Sequence, residues 1–72
     1  MFKISESTDA EDAQITAQKS PPFGPGFPVE LVRRATRLEV WGSTIMEDGP
    51  EYTEFRLYSG AVLLGKRRLA GH

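Results

Sequence analysis

Few residues in this chain can carry covalent chemistry. Nucleophilic catalysis needs a nucleophile and a base positioned beside it. Serines are present, but cysteine is absent and the only histidine is His72, the last residue. His72 is expected to be a solvent-exposed tail. Acid–base work by two carboxylates requires that they converge. Glu51 and Glu54 stand three apart in a strand-like segment, so their side chains point to opposite faces. Glu47, Asp48 and Glu51 cluster near a turn, where a solvated loop is the ordinary outcome, and no calcium-loop spacing is present. The glycines form neither GxGxxG nor GxxxxGK[ST], so no phosphate cradle is encoded. The expectation is a non-enzymatic protein with no cofactor and no metal.

Recognition chemistry is better represented. Trp41, Tyr52 and Tyr58 are large flat groups, interleaved with Arg56 and Arg67. Aromatics and arginine are the residues enriched at binding hot spots, and the same mixture can stack the bases of single-stranded nucleic acid. These five residues are the candidate partner-binding site. Two plainer readings compete with it. Trp41 over Arg56 is also what a cross-strand cation–π pair would look like, worth about 0.5–1 kcal/mol at an exposed site. The N-terminal segment is also long enough to fold over the face. The run Lys66-Arg67-Arg68 reads as edge charges that block sheet-to-sheet pairing. A nucleic-acid footprint normally brings a strong positive balance, whereas the net charge here is −1.

Those residues must be positioned by strands. Residues 37–46, 51–58 and 61–69 read as three strands separated by Asp48-Gly49 and Ser59-Gly60, both good hairpin turns. Counting outward from the turns sets Val40 against Leu57, Gly42 against Phe55, Thr44 against Thr53, Leu57 against Val62 and Phe55 against Leu64. Strand periodicity then gathers Leu38, Val40, Thr44, Phe55, Leu57, Val62 and Leu64 on one face, with Gly42 leaving room over Phe55. Trp41, Tyr52, Arg56, Tyr58 and Arg67 fall on the other.

The remaining segments are a covering layer and a tether. Pro28 suits the start of a helix, Glu30 its first turn, and Arg33 and Arg34 its last. A short helix from 28 to 35 or 36 is expected to lay Leu31, Val32 and Ala35 on the apolar face. Residues 20–27, with three prolines and two glycines, make an extended connector pinned by Phe23 and Phe27. Its nominal PxxP matches are too cheap a pattern to carry a reading. The acidic segment 1–19 is the open part. Its residues 5–12 are polar enough to stay disordered. Residues 13–18 suit either an edge strand, favoured by Ile15-Thr16, or a short helix capped by Thr8 and Glu11.

The fold class is therefore α+β: an antiparallel three-stranded β-meander, with a fourth N-terminal edge strand as an option, and one short helix packed on one face. With 72 residues and no cysteine, the chain sits near the lower size limit for a stable core and gains nothing from disulfides or zinc–thiolate sites. A partner or self-association is the remaining support. No apolar h-region follows Met1, and the longest apolar run, 61–64, is too short for a bilayer, so a cytoplasmic location without membrane contact is expected. Function is expected to lie in occupying a surface. The first expectation is a protein-binding module acting as inhibitor or regulator of a larger protein or nucleoprotein assembly. Phage and mobile-element inhibitors offer an analogy of size only. A nucleic-acid-binding domain using the aromatic-basic face is the alternative, and a structural homo-oligomer or homodimer the third.

Overall fold

The computed structural model describes residues 1–70; His72 lies outside them. The chain order is β1 (Phe2–Ser7), α1 (Ala10–Gln18), α2 (Val29–Val32), β2 (Arg37–Gly42), β3 (Ile45–Met46), β4 (Gly49–Pro50), β5 (Tyr52–Ser59) and β6 (Val62–Ala70). This is a small α+β fold. Four antiparallel strands form one sheet in the order β1-β2-β5-β6, and β3-β4 is a separate two-stranded ladder.

The N-terminal segment departs most from expectation. Residues 2–7 form an edge strand, and the stretch 13–18, for which a strand was favoured, is helical. The helix prevails because its stripe is made of alanine: Ala13 and Ala17, four apart on one face, are both fully buried. Ile15, the residue that suggested a strand, points outward and stays exposed. Asp9 caps the helix by accepting from the Asp12 amide at 3.3 Å, with Glu11 and Asp12 in the first turn, where the helix dipole favours acids. The cap thus falls one residue after Thr8.

β1 pairs with β2 through a bulge at Ile4, Phe2 standing opposite Gly42 and Ser5 opposite Val40. The bulge lets both Phe2 and Ile4 lie over Gly42, where a Cβ would come within 2.7 Å of Phe2 Cζ and 3.0 Å of Ile4 Cδ1. The space over Gly42 therefore serves Phe2 and Ile4 rather than Phe55.

Both central registers differ from those counted from the turns. Val40 stands opposite Phe55 and Leu38 opposite Leu57, a slip of two from the expected pairs. The cause is a turn with Glu47-Asp48 at its tip, closed by Met46 opposite Gly49. Gly49 takes a φ of 112°, which glycine alone adopts freely. An even slip keeps every side chain on its face. The expected strand 37–46 is interrupted at Ser43-Thr44, and Thr44 is exposed rather than part of the apolar face.

The second hairpin turns at Gly60-Ala61, with Ser59 opposite Val62 and Gly60 at a φ of 59°. Tyr58 stands opposite Leu63, but Leu57 stands opposite Gly65, so Leu64 is the extra residue of a bulge. From Gly65 onward the strand presents the opposite face from the one its alternation implied. Val62, expected in the core, is 61% exposed beyond the helices.

The core is Ala13, Ala17, Phe27, Val32, Ala35, Leu38 and Leu57, with Leu31, Phe55 and Leu64 packed against it. Both helices supply it, so the cover is two short helices and the connector rather than one helix. The second helix is only four residues long, with Pro28 as its N-cap. In the connector, Phe27 is buried and lies with Leu31 against Gly65. Phe23, expected to pin the connector as well, is 83% exposed.

Candidate functional site

The face of the sheet away from the helices carries the aromatic and charged residues. Trp41 comes from β2 and Tyr52, Arg56 and Tyr58 from β5; the register brings these four together on one side. Arg67 is not with them. The bulge at Leu64 turns Arg67 to the helix side, where its guanidinium lies 5.6 Å from the Phe27 ring and donates to the Gly26 carbonyl at 3.0 Å. Its neighbour Arg68 takes the outer position instead, opposite Glu54.

Two carboxylates organise this face. Glu54, on β5, is 2% exposed. Its Oε2 accepts from Arg56 Nε at 2.6 Å and its Oε1 from Arg68 Nε at 2.8 Å. These two charge-assisted bonds, Arg68 first, hold the Glu54 carboxyl below its ordinary value and raise both guanidinium values. Glu39, on β2, is also buried. Burial alone would push its carboxyl up. The indole Nε1 of Trp41, donating at 2.8 Å, the ammonium of Lys3 at 3.7 Å and the Arg37 guanidinium outweigh that and leave it lowered. Lys3 also pairs with Glu6 along β1.

Cations cover the aromatic rings. Arg56 lies 4.4 Å from the Trp41 centroid, Arg37 4.0 Å from Tyr58, Arg68 4.5 Å from Tyr52, and Lys3 5.7 Å from Trp41. Each ring is half-buried, and each guanidinium is fixed both by a ring and by a carboxylate. The cross-strand cation–π pair is thus present as part of a larger lattice. The N-terminal segment joins the edge of the sheet as β1 rather than folding over this face. Met1 reaches across it, its Sδ 3.0 Å from Arg56 Nη2.

The five-residue candidate site leaves out Lys3, Arg37, Glu39, Glu54 and Arg68. Glu39 and Glu54 share the odd–even step of Trp41 and Arg56 respectively, so alternation alone carried that signal. Arg68 had none, because the bulge that places it leaves no mark in the sequence.

Among the described residues, no three His, Cys, Asp or Glu side chains converge as metal ligands would. No helix among them is long and apolar enough to cross a membrane. The chain matches no protein-family model and has no significant match among curated proteins or solved structures.

Proposed function

We propose that this chain is a non-catalytic protein-binding module that acts by occupying a surface, as an inhibitor or regulator of a larger assembly. One observation carries the reading: the four-stranded sheet has its helices on one face only, and its open face displays Trp41, Tyr52, Arg56 and Tyr58 already fixed in place by Glu39 and Glu54. Such residues supply binding energy at hot spots. Side chains that are fixed before binding lose less entropy when a partner arrives, which favours affinity. Arg67, on the other face, leaves the proposed contact, and Arg37 and Arg68 enter it.

Nucleic acid is the weaker reading. Base stacking needs bare ring faces, whereas guanidinium groups already cover the Trp41, Tyr52 and Tyr58 rings. Phosphate binding needs uncompensated cations, whereas Glu39 and Glu54 neutralise most of those here.

The test is capture of a partner from the native host, with and without nuclease, by the wild-type chain and by the Trp41→Ala/Arg56→Ala variant. The reading expects a nuclease-insensitive protein that the variant loses. Equal capture by both, or loss on nuclease treatment, contradicts it. Size-exclusion chromatography with light scattering separates a structural homo-oligomer from either.

A further inference from the structure

The outer edge of β6 offers a second interaction surface, of a different kind from the sheet face. β6 is an end strand of the sheet, nine residues long, and its ladder with β5 runs without interruption from Gly65 to Ala70. An end strand leaves main-chain N–H and C=O groups on its free side without strand partners. The opposite edge, β1, has six residues and a bulge at Ile4. β6 also carries a bulge, at Leu64, but the six residues beyond it, Gly65 to Ala70, pair without interruption and make the longer regular template for an added strand.

The charges along it select what can be added. Lys66, Arg67 and Arg68 are consecutive and exposed. Arg68 is paired with Glu54. Among the described residues, no carboxylate lies within ion-pairing distance of Lys66 or Arg67. Because strand side chains alternate, Lys66 points to the outer face, opposite Arg56, and Arg67 to the helix face, opposite Phe55. Two cations without a carboxylate partner among the described residues thus sit at adjacent positions on opposite faces of a free edge, Arg67 resting on the Gly26 carbonyl and the Phe27 ring. Val62 and Leu63, both exposed, precede them at the turn end of the strand.

We propose that β6 accepts an extended acidic segment of another protein as a fifth strand. Two consecutive Asp or Glu residues in that segment would meet Lys66 on one face and Arg67 on the other, and an apolar residue farther along would meet Val62 or Leu63. Strand addition of this type draws affinity from main-chain hydrogen bonds and specificity from alternate side chains. A second copy of this chain does not fit. Antiparallel self-pairing of β6 in full-length register gathers the two Lys66-Arg67-Arg68 runs around the two-fold axis, where like charges face one another. The same run that repels a basic strand is complementary to an acidic one.

The test uses the full chain, isotope-labelled, and a capped peptide alternating Val and Thr around a central Glu-Glu pair. A second peptide carries N-methyl groups at alternate amides. The proposal expects amide shifts concentrated in residues 62–70. It expects at least about tenfold weaker binding by the N-methylated peptide and by the Lys66→Glu variant, which leaves the contacts of Arg67 with Gly26 and Phe27 in place and melts like wild type. Any of four results overturns it: no binding, shifts centred on Trp41 and Arg56, equal binding of the N-methylated peptide, or a β6-paired dimer by light scattering. Because Trp41 lies on β2, which does not pair with β6, the effect of Trp41→Ala on this peptide distinguishes failure here from failure of the sheet-face reading.

Discussion

Arg68 reaches across from β6 to Glu54 on β5, Nε to Oε1 at 2.8 Å, while its guanidinium carbon lies 4.5 Å from the Tyr52 ring. The other carboxylate oxygen of Glu54 is taken by Arg56. One buried acid thus ties two strands together and aims two cations at two aromatic rings. Removing its charge strands both guanidinium groups. Glu54→Gln is expected to cost about 1–3 kcal/mol, below the range for fully buried pairs because both arginines are partly solvated. Urea denaturation of the variant checks this, and a loss under about 0.5 kcal/mol would mean the carboxylate does not organise the face.

The same geometry sets an acid limit. Glu54 and Glu39 are both held below the ordinary carboxyl value of 4.5. Their contribution to stability is complete above that value, because both are then ionised in the folded and unfolded chains. It is lost as pH falls from 4.5 through their lower folded values, where the unfolded chain binds protons first. Denaturant midpoints should hold level from pH 7 to about 5 and then decline. Glu54→Gln should decline less steeply. A wild-type midpoint that stays level to pH 3 would contradict the assignment.

Core packing gives a graded set. Leu57 is fully buried opposite Leu38, so Leu57→Ala is expected to lose about 2–4 kcal/mol through a cavity in a small core. Val62→Ala and Phe23→Ala, at exposed positions, should each change stability by less than about 0.5 kcal/mol. Thermal and urea unfolding of the three variants read this directly.

Glycine replacement tests the connector. A Cβ on Gly24 would come within 2.6 Å of Lys19 Cβ and 2.8 Å of the Lys19 and Thr16 carbonyl oxygens. Main-chain atoms cannot give way as the outer ends of Phe2 and Ile4 can over Gly42. Gly24→Ala should therefore destabilise more than Gly42→Ala, by upward of about 1 kcal/mol. The reverse order would show that the connector is not seated on the end of α1.

Much of the outer face was legible because strand alternation survives an even slip. The β2–β5 turn moved by one residue, the register moved by two, and Trp41, Tyr52, Arg56 and Tyr58 stayed together. β6 was legible only as a strand. Its bulge lies at Leu64, beside Leu63, and the run that follows is Lys66-Arg67-Arg68. Neither stretch alternates in polarity, so no pattern recorded which residues change face. Arg67 was assigned to the outer side for that reason. β1 was missed because an edge strand is fixed by main-chain pairing, to which Ser5, Glu6 and Ser7 contribute without apolar periodicity. α1 stayed open between strand and helix, with the strand favoured, because its packing stripe consists of two alanines, whose small size suits close approach to the sheet but gives little hydrophobic signal.

The central claim is that a protein partner meets the open sheet face. Trp41 is the only tryptophan, so the chain labelled with 5-fluorotryptophan carries a single fluorine reporter in that face. On titration with the captured partner, the account predicts that the Trp41 fluorine resonance moves and loses its sensitivity to solvent deuterium, and that Arg56→Ala weakens the effect. A partner that binds while the Trp41 resonance keeps its position and its solvent sensitivity would contradict the account.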